Sequence, residues 1–152
     1  MRIVLPFLLG LFCVSWPVLA GPINEELGKK YLAISSDLAA DSFENSTRQA
    51  KEISGLINAD AAAMKSDLYK KIAESAQTLS RAKDIKEART SFKAFSENMK
   101  TWFEKEKPAG VELMFCPMEK GYWVQKAGEA TKNPYYGTAM ASCGYSVTKK
   151  LK

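Results

Sequence analysis

The sequence predicts an all-α protein: an up-down four-helix bundle with an irregular C-terminal segment and a short final helix. Two observations favour this fold class. Apolar residues recur every three to four positions through four stretches of similar length, and short connections separate these stretches, as in antiparallel bundles. The alternation typical of half-buried strands is rare, and Val111–Phe115 alone does not predict a sheet.

The chain begins with a segment typical of an export signal. A basic start at Arg2 precedes an apolar run from Ile3 to Trp16, and the small residue Ala20 is typical of a cleavage site. The run is short and is followed by a proline, which disfavours a membrane span. We therefore predict a signal peptide over residues 1–20 and a periplasmic or secreted mature protein with no stable membrane anchor.

The rest of the chain is long enough for one domain with a core of its own. We predict that this domain spans 21–148, with a tail over 149–152. The net charge of +5 is mild, and the lysines alternate with acidic residues along the polar helix faces. This pattern favours a solvated surface over a nucleic-acid interface.

Each predicted helix has recognisable ends. Asp41-Ser42 precedes the second helix and Asn58–Asp60 ends it, with Asp60 also placed to cap the third. Asp84 and Glu87 have capping-box spacing before the fourth helix, which Pro108–Gly110 ends. The residues predicted to face inward are, helix by helix, Ile23, Leu27, Tyr31, Ile34 and Leu38; Phe43, Ala50, Ile53, Leu56 and Ile57; Met64, Leu68, Ile72, Ala76 and Leu79; and Ala88, Phe92, Phe95, Met99, Trp102 and Phe103.

The candidate functional residues lie in the irregular segment over 111–144, where Pro134 is placed to begin a short final helix through Met140. Cys116 and Met118 are two residues apart, and Met140 and Cys143 have the i, i+3 spacing that shares one face of a helical turn. Two thiolates and two thioethers are soft ligands, which favour Cu(I) over zinc, calcium or magnesium.

A second interpretation of the same residues is a disulfide. Cys116 and Cys143 are the two cysteines that remain after the predicted cleavage, and an even pair in an oxidising compartment is commonly bridged. Such a bridge stabilises by roughly 3 to 4 kcal/mol in the chain-entropy model. The methionines are then ordinary core residues, and four aromatic residues form an interaction surface: Tyr122, Trp123, Tyr135 and Tyr136.

Enzyme chemistry is disfavoured. The sequence contains no histidine, which excludes Ser-His-Asp and Cys-His nucleophiles and His-based zinc sites. It also contains no Cys-x-x-Cys redox motif and no glycine-rich phosphate loop after a strand. We therefore expect a binding protein and not an enzyme.

The motifs of the C-terminal segment resemble those of a bacterial exported family of unknown function. They are Cys116-Pro-Met118, Tyr122-Trp123-x-Gln125, Asn133-Pro-Tyr-Tyr-Gly137 and Met140-x-x-Cys143-Gly144, preceded by Tyr31–Asp41 in the opening helix. That family also occurs as the C-terminal module of CusB-type heavy-metal efflux adaptors. The resemblance implies a helical domain that handles copper or silver outside the cytoplasm, with Cys116, Met118, Met140 and Cys143 as ligands and an efflux adaptor or another periplasmic protein as partner.

Overall fold

The computed structural model describes residues 22–148 and contains four helices followed by a three-stranded antiparallel sheet. The predicted signal peptide and the predicted tail lie outside the described residues. Within residues 22–148, no helix is both long enough and apolar enough to cross a membrane. The bounds of the elements are α1, Pro22–Ala39; α2, Phe43–Ala59; α3, Asp67–Ser80; α4, Ile85–Glu106; β1, Val111–Cys116; β2, Gly121–Lys126; and β3, Tyr145–Ser146.

The four helices are confirmed, and most of the residues predicted to face inward are buried. The start of the third helix differs from the prediction. Asp60 accepts the backbone N–H groups of Ala62 and Ala63 at 2.8 and 2.9 Å, but it caps a 3₁₀ turn over Ala63–Lys65, and α3 begins only at Asp67. Asp84 caps α4 as predicted, accepting the N–H of Glu87 at 2.8 Å.

The all-α prediction is wrong, because the C-terminal segment forms a sheet with strand order β2-β1-β3. Val111–Cys116 pairs with Gly121–Lys126, and β1 also pairs with Tyr145–Ser146. On one face of the two long strands every side chain is buried, whereas burial on the other face, which carries Val111, Leu113 and Phe115, is only partial. Because both faces of β1 carry apolar residues, its sequence lacks the period-two alternation by which a half-buried strand is recognised.

The predicted final helix is also not formed as an α-helix. Only a 3₁₀ turn over Gly137–Met140 is present. The side chain of Asn133 accepts the N–H of Tyr135 at 2.8 Å, and the carbonyl of Asn133 accepts the N–H of Gly137 at 3.1 Å. These bonds close tight turns around Pro134, and Gly137 has a left-handed φ of +56°, which an α-helix does not permit.

The sheet completes the bundle. Each helix packs against the next along the chain, whereas α1 and α4 contact β2 more extensively than they contact each other. Gly28 permits the close approach of α1 to α4, because a Cβ there would lie 3.3 Å from the ring of Trp102 on α4. The strand β2 therefore occupies the side of the bundle between its first and last helices.

Hydrogen bonds from the helices cover the outer edge of β2. Tyr31 is buried, and its hydroxyl lies 2.5 Å from Ser96 Oγ and accepts the Val124 N–H at 3.2 Å. Ser96 in turn donates to the carbonyl of Tyr122 at 2.7 Å. Burial raises the pKa of Tyr31, so the hydroxyl remains a donor. The Val124 N–H and the Tyr122 carbonyl, which an edge strand would otherwise leave unpaired, therefore have hydrogen-bond partners.

We predict that Tyr31→Phe destabilises the protein by about 1 to 3 kcal/mol, because it leaves the buried Val124 N–H without an acceptor. Urea unfolding measures the change. Tyr136→Phe is the matched control, since that hydroxyl makes only a 3.5 Å contact with Glu119; a change within about 0.5 kcal/mol is expected. Equal effects of the two substitutions would contradict the role assigned to the Tyr31 hydroxyl.

Candidate metal centre

The two cysteines predicted as ligands lie in contact. Cys116 is fully buried at the end of β1, Cys143 is partly buried, and their sulfurs are 3.6 Å apart. Both are free thiols in this structure. The register explains the approach: Phe115 pairs with Tyr145 across β1 and β3, so the residues just before Tyr145 run alongside Cys116.

The two predicted methionine ligands belong to the same region but are exposed. The backbone of Met118 lies near enough to the Cys143 thiol to lower its pKa, and the carbonyl of Met140 accepts the Cys143 N–H at 3.1 Å. Their side chains are 64% and 40% exposed. The backbones of both methionines therefore lie close to Cys143. Because the methionine side chain is flexible, either thioether can approach the thiols.

The environment of the thiols affects their charge. Burial raises the pKa of the Cys143 thiol, the neighbouring Cys116 sulfur raises it further, and the hydrogen bond from the Met118 backbone opposes both effects. In the described part of the chain, no group of three His, Cys, Asp or Glu side chains is arranged to hold a metal ion. The candidate centre offers two thiols in contact, and the exposed side chains of Met118 and Met140 belong to the chain segments that carry them.

One face of the sheet supports the thiols. Because side chains alternate along a strand, the register places Cys116 on the same face as Met114 and its partner Trp123. Residues 127–144, which follow β2 and form the covering segment, lie over this face. The N–H of Lys132 donates to Gln125 Oε1 at 3.3 Å, and Gly144 lies against the ring of Trp123.

Two of the four residues predicted to form an interaction surface lie in the interior. Trp123 is fully buried and Tyr135 is 6% exposed, with their rings edge to face at 6.2 Å. The prediction of an exposed surface is wrong for these two, because both pack under the covering segment. Tyr122 and Tyr136 are partly exposed.

An ion pair fastens the covering segment to the helices, and the sequence analysis did not identify it. Arg89 on α4 donates to the carbonyls of Leu38 at 2.8 Å and Pro134 at 3.1 Å, and its Nη2 lies 2.5 Å from Asp41 Oδ1. Asp41 also accepts the N–H and the hydroxyl of Thr138 at 3.2 and 2.5 Å. Asp41 was interpreted only as a helix cap, and no sequence spacing links it to Arg89.

These contacts lower the pKa of Asp41 from 3.8 to about 2, chiefly through the Thr138 hydroxyl and then through Arg89. A lowered carboxyl pKa stabilises the folded state above the unfolded pKa, and this stabilisation is lost as the pH falls through the folded value. We predict that the difference in unfolding free energy between wild type and Asp41→Asn is constant above about pH 4 and shrinks between about pH 4 and 2. A difference that does not change over this range would contradict the assignment.

Gly144 is required where the covering segment crosses Trp123. Its φ is +134°, and a Cβ there would lie 2.4 Å from the Trp123 ring and 3.1 Å from the Phe115 carbonyl. The adjacent Cys143 therefore depends on a residue without a side chain for its position beside Cys116.

We predict that Gly144→Ala is more destabilising than Gly128→Ala. Gly128 also has a positive φ, +80°, but nothing lies within 4 Å of a Cβ there. Gly128→Ala therefore measures only the cost of placing a side chain on a backbone with positive φ, about 1 to 2 kcal/mol. The clash with a buried ring adds about 1 to 3 kcal/mol at Gly144. Equal costs in urea unfolding would show that the contact with Trp123 is not restrictive.

The fold and the thiol pair define a helical domain with a C-terminal sheet that carries two adjacent cysteines. Residues 27–109 match the family model described as Protein of unknown function (DUF3347), and the chain belongs to this family. No curated protein and no solved structure matches the chain. The match covers the helices from Leu27 onward and ends before β1, so the cysteines lie beyond the matched region.

Proposed function

We propose that this protein is an exported, periplasmic protein that binds Cu(I) or Ag(I) through Cys116 and Cys143, and that it sequesters the ion or passes it to an efflux system. The contact of the two thiols at 3.6 Å carries the proposal. Two thiols converge although they are 27 positions apart in the sequence, and thiolates and thioethers are the ligands that favour Cu(I).

The two ligand types have different roles in this proposal. The thiolates supply negative charge and most of the affinity, while the exposed Met118 and Met140 supply weaker bonds at the solvent side. Weak, flexible ligands at the entrance suit an ion that is to be passed on. The resemblance of the cysteine motifs to the C-terminal module of CusB-type adaptors supports a heavy-metal efflux adaptor, or another periplasmic protein, as the recipient.

Competition between the reduced mature protein and a Cu(I) chelator tests this proposal. We expect tight binding of Cu(I) by the wild type and its loss in the double variant Cys116→Ser, Cys143→Ser, because the thiolates are removed. The double variant Met118→Leu, Met140→Leu is expected to bind more weakly than wild type but to retain the site. Met99→Leu, in the core, is the control for a change of methionine to leucine. Unchanged affinity without both cysteines would refute the site.

A second candidate function rests on the same 3.6 Å contact. Thiols this close form a disulfide after a small movement, and a bridged protein would be an interaction module without a metal of its own, using Tyr122, Tyr136 and the exposed methionines as contacts. The intact mass of periplasmic protein under non-reducing conditions distinguishes the two. A species lighter by two hydrogen atoms that resists mild reductant favours the interaction module, and a readily reduced pair favours metal binding.

A further inference from the structure

The side chain of Asn133 joins the two cysteines. Asn133 is fully buried, and its amide nitrogen lies 3.3 Å from the sulfur of Cys116 and 2.6 Å from the carbonyl oxygen of Cys143. One buried amide group therefore contacts the ligand atom of one cysteine and the backbone of the other.

The orientation of this amide is fixed by its partners. The Asn133 oxygen accepts the N–H of Tyr135 at 2.8 Å, and a backbone N–H is only a donor. The carbonyl of Cys143, on the opposite side, is only an acceptor. The Asn133 NH₂ group must therefore face Cys143 and Cys116, and a flipped amide would lose both well-formed bonds.

The two bonds hold both cysteines in place. Asn133 Nδ2 donates to the Cys116 sulfur at 3.3 Å and to the Cys143 carbonyl at 2.6 Å, and the two sulfurs lie 3.6 Å apart. A metal ion bound by both sulfurs needs them at a fixed separation, and one buried amide that bonds to both residues provides it.

We propose that Asn133 is a positioning residue for the thiol pair: its hydrogen bonds to the Cys116 sulfur and the Cys143 carbonyl hold the two cysteines side by side, and so set the affinity of the site for a soft metal ion. This inference rests on the proposed function. It adds a residue that coordinates nothing itself and acts through a hydrogen bond to a ligand, as residues around metal ligands commonly do.

Asn133→Asp tests the proposal. The introduced carboxylate retains an acceptor for the Tyr135 N–H but donates to neither cysteine, and it places a negative charge beside the thiolates. We expect the Kd for Cu(I), measured against a competing chelator, to rise about 10- to 100-fold. Asn98→Asp is the matched control: Asn98 also donates from Nδ2, to Lys71 and Ser75 on α3, but lies on the helices, and its change is expected to leave the Kd unaltered.

A second measurement needs no metal. In the reduced protein without metal, the equilibrium constant for forming the Cys116–Cys143 disulfide in a glutathione redox buffer measures how closely the two thiols are held. It is expected to be lower in Asn133→Asp than in wild type, because the bond that fixes the Cys143 carbonyl is lost, and unchanged in Asn98→Asp. A residue that only maintained the fold would not change this constant in a folded variant. Circular dichroism establishes folding, and if the carboxylate prevents it, Asn133→Ser retains a side-chain oxygen for the turn and is expected to shift both readouts in the same direction.

The outcomes are distinguishable. Weaker Cu(I) binding together with a lower equilibrium constant for disulfide formation in folded Asn133 variants, but not in Asn98→Asp, supports the proposal. If wild type binds Cu(I) and folded Asn133 variants match it in both measurements, the role of Asn133 is overturned while the proposed function stands. If wild type does not bind Cu(I), the proposed function fails, and the disulfide equilibrium alone decides whether Asn133 holds the two thiols together.

Discussion

The hydrogen bonding of the outer edge of β2 by Tyr31 and Ser96 is the constraint on which the architecture depends. It joins α1 and α4 to the sheet through the interior, where an unsatisfied backbone group costs about 1 to 3 kcal/mol. Tyr135 donates to the same Tyr122 carbonyl from the covering segment. One strand edge therefore fixes the sheet against the helices and the covering segment against the sheet.

The position of the thiols follows from this arrangement. Cys116 is placed by the register of β1, and Cys143 by the return of the chain into β3. The segment between them is held by buried Asn133 at the centre and by the Arg89–Asp41 pair at the periphery. The contact between the sulfurs is thus a product of long-range packing, and neither cysteine motif determines it alone.

Local patterns predicted the helices and failed for the sheet. The apolar stripe that includes Phe92, Phe95 and Met99 identifies α4, because only one face of that helix is apolar. Val111–Cys116 carries no such signal, since apolar residues lie on both of its faces. The sulfur residues could be named from their types and spacing, whereas Arg89 and Asn133 act through contacts that no spacing in the sequence reveals.

We propose that the two thiols held in contact by this scaffold, with Asn133 donating to the Cys116 sulfur, form a soft-metal site. X-ray absorption spectroscopy at the copper edge of the Cu(I)-loaded mature protein tests this most directly. The account predicts a first shell made only of sulfur, which is lost when Cys116 and Cys143 are both replaced by serine. A first shell of nitrogen or oxygen, or a spectrum unaltered by the two substitutions, would contradict it.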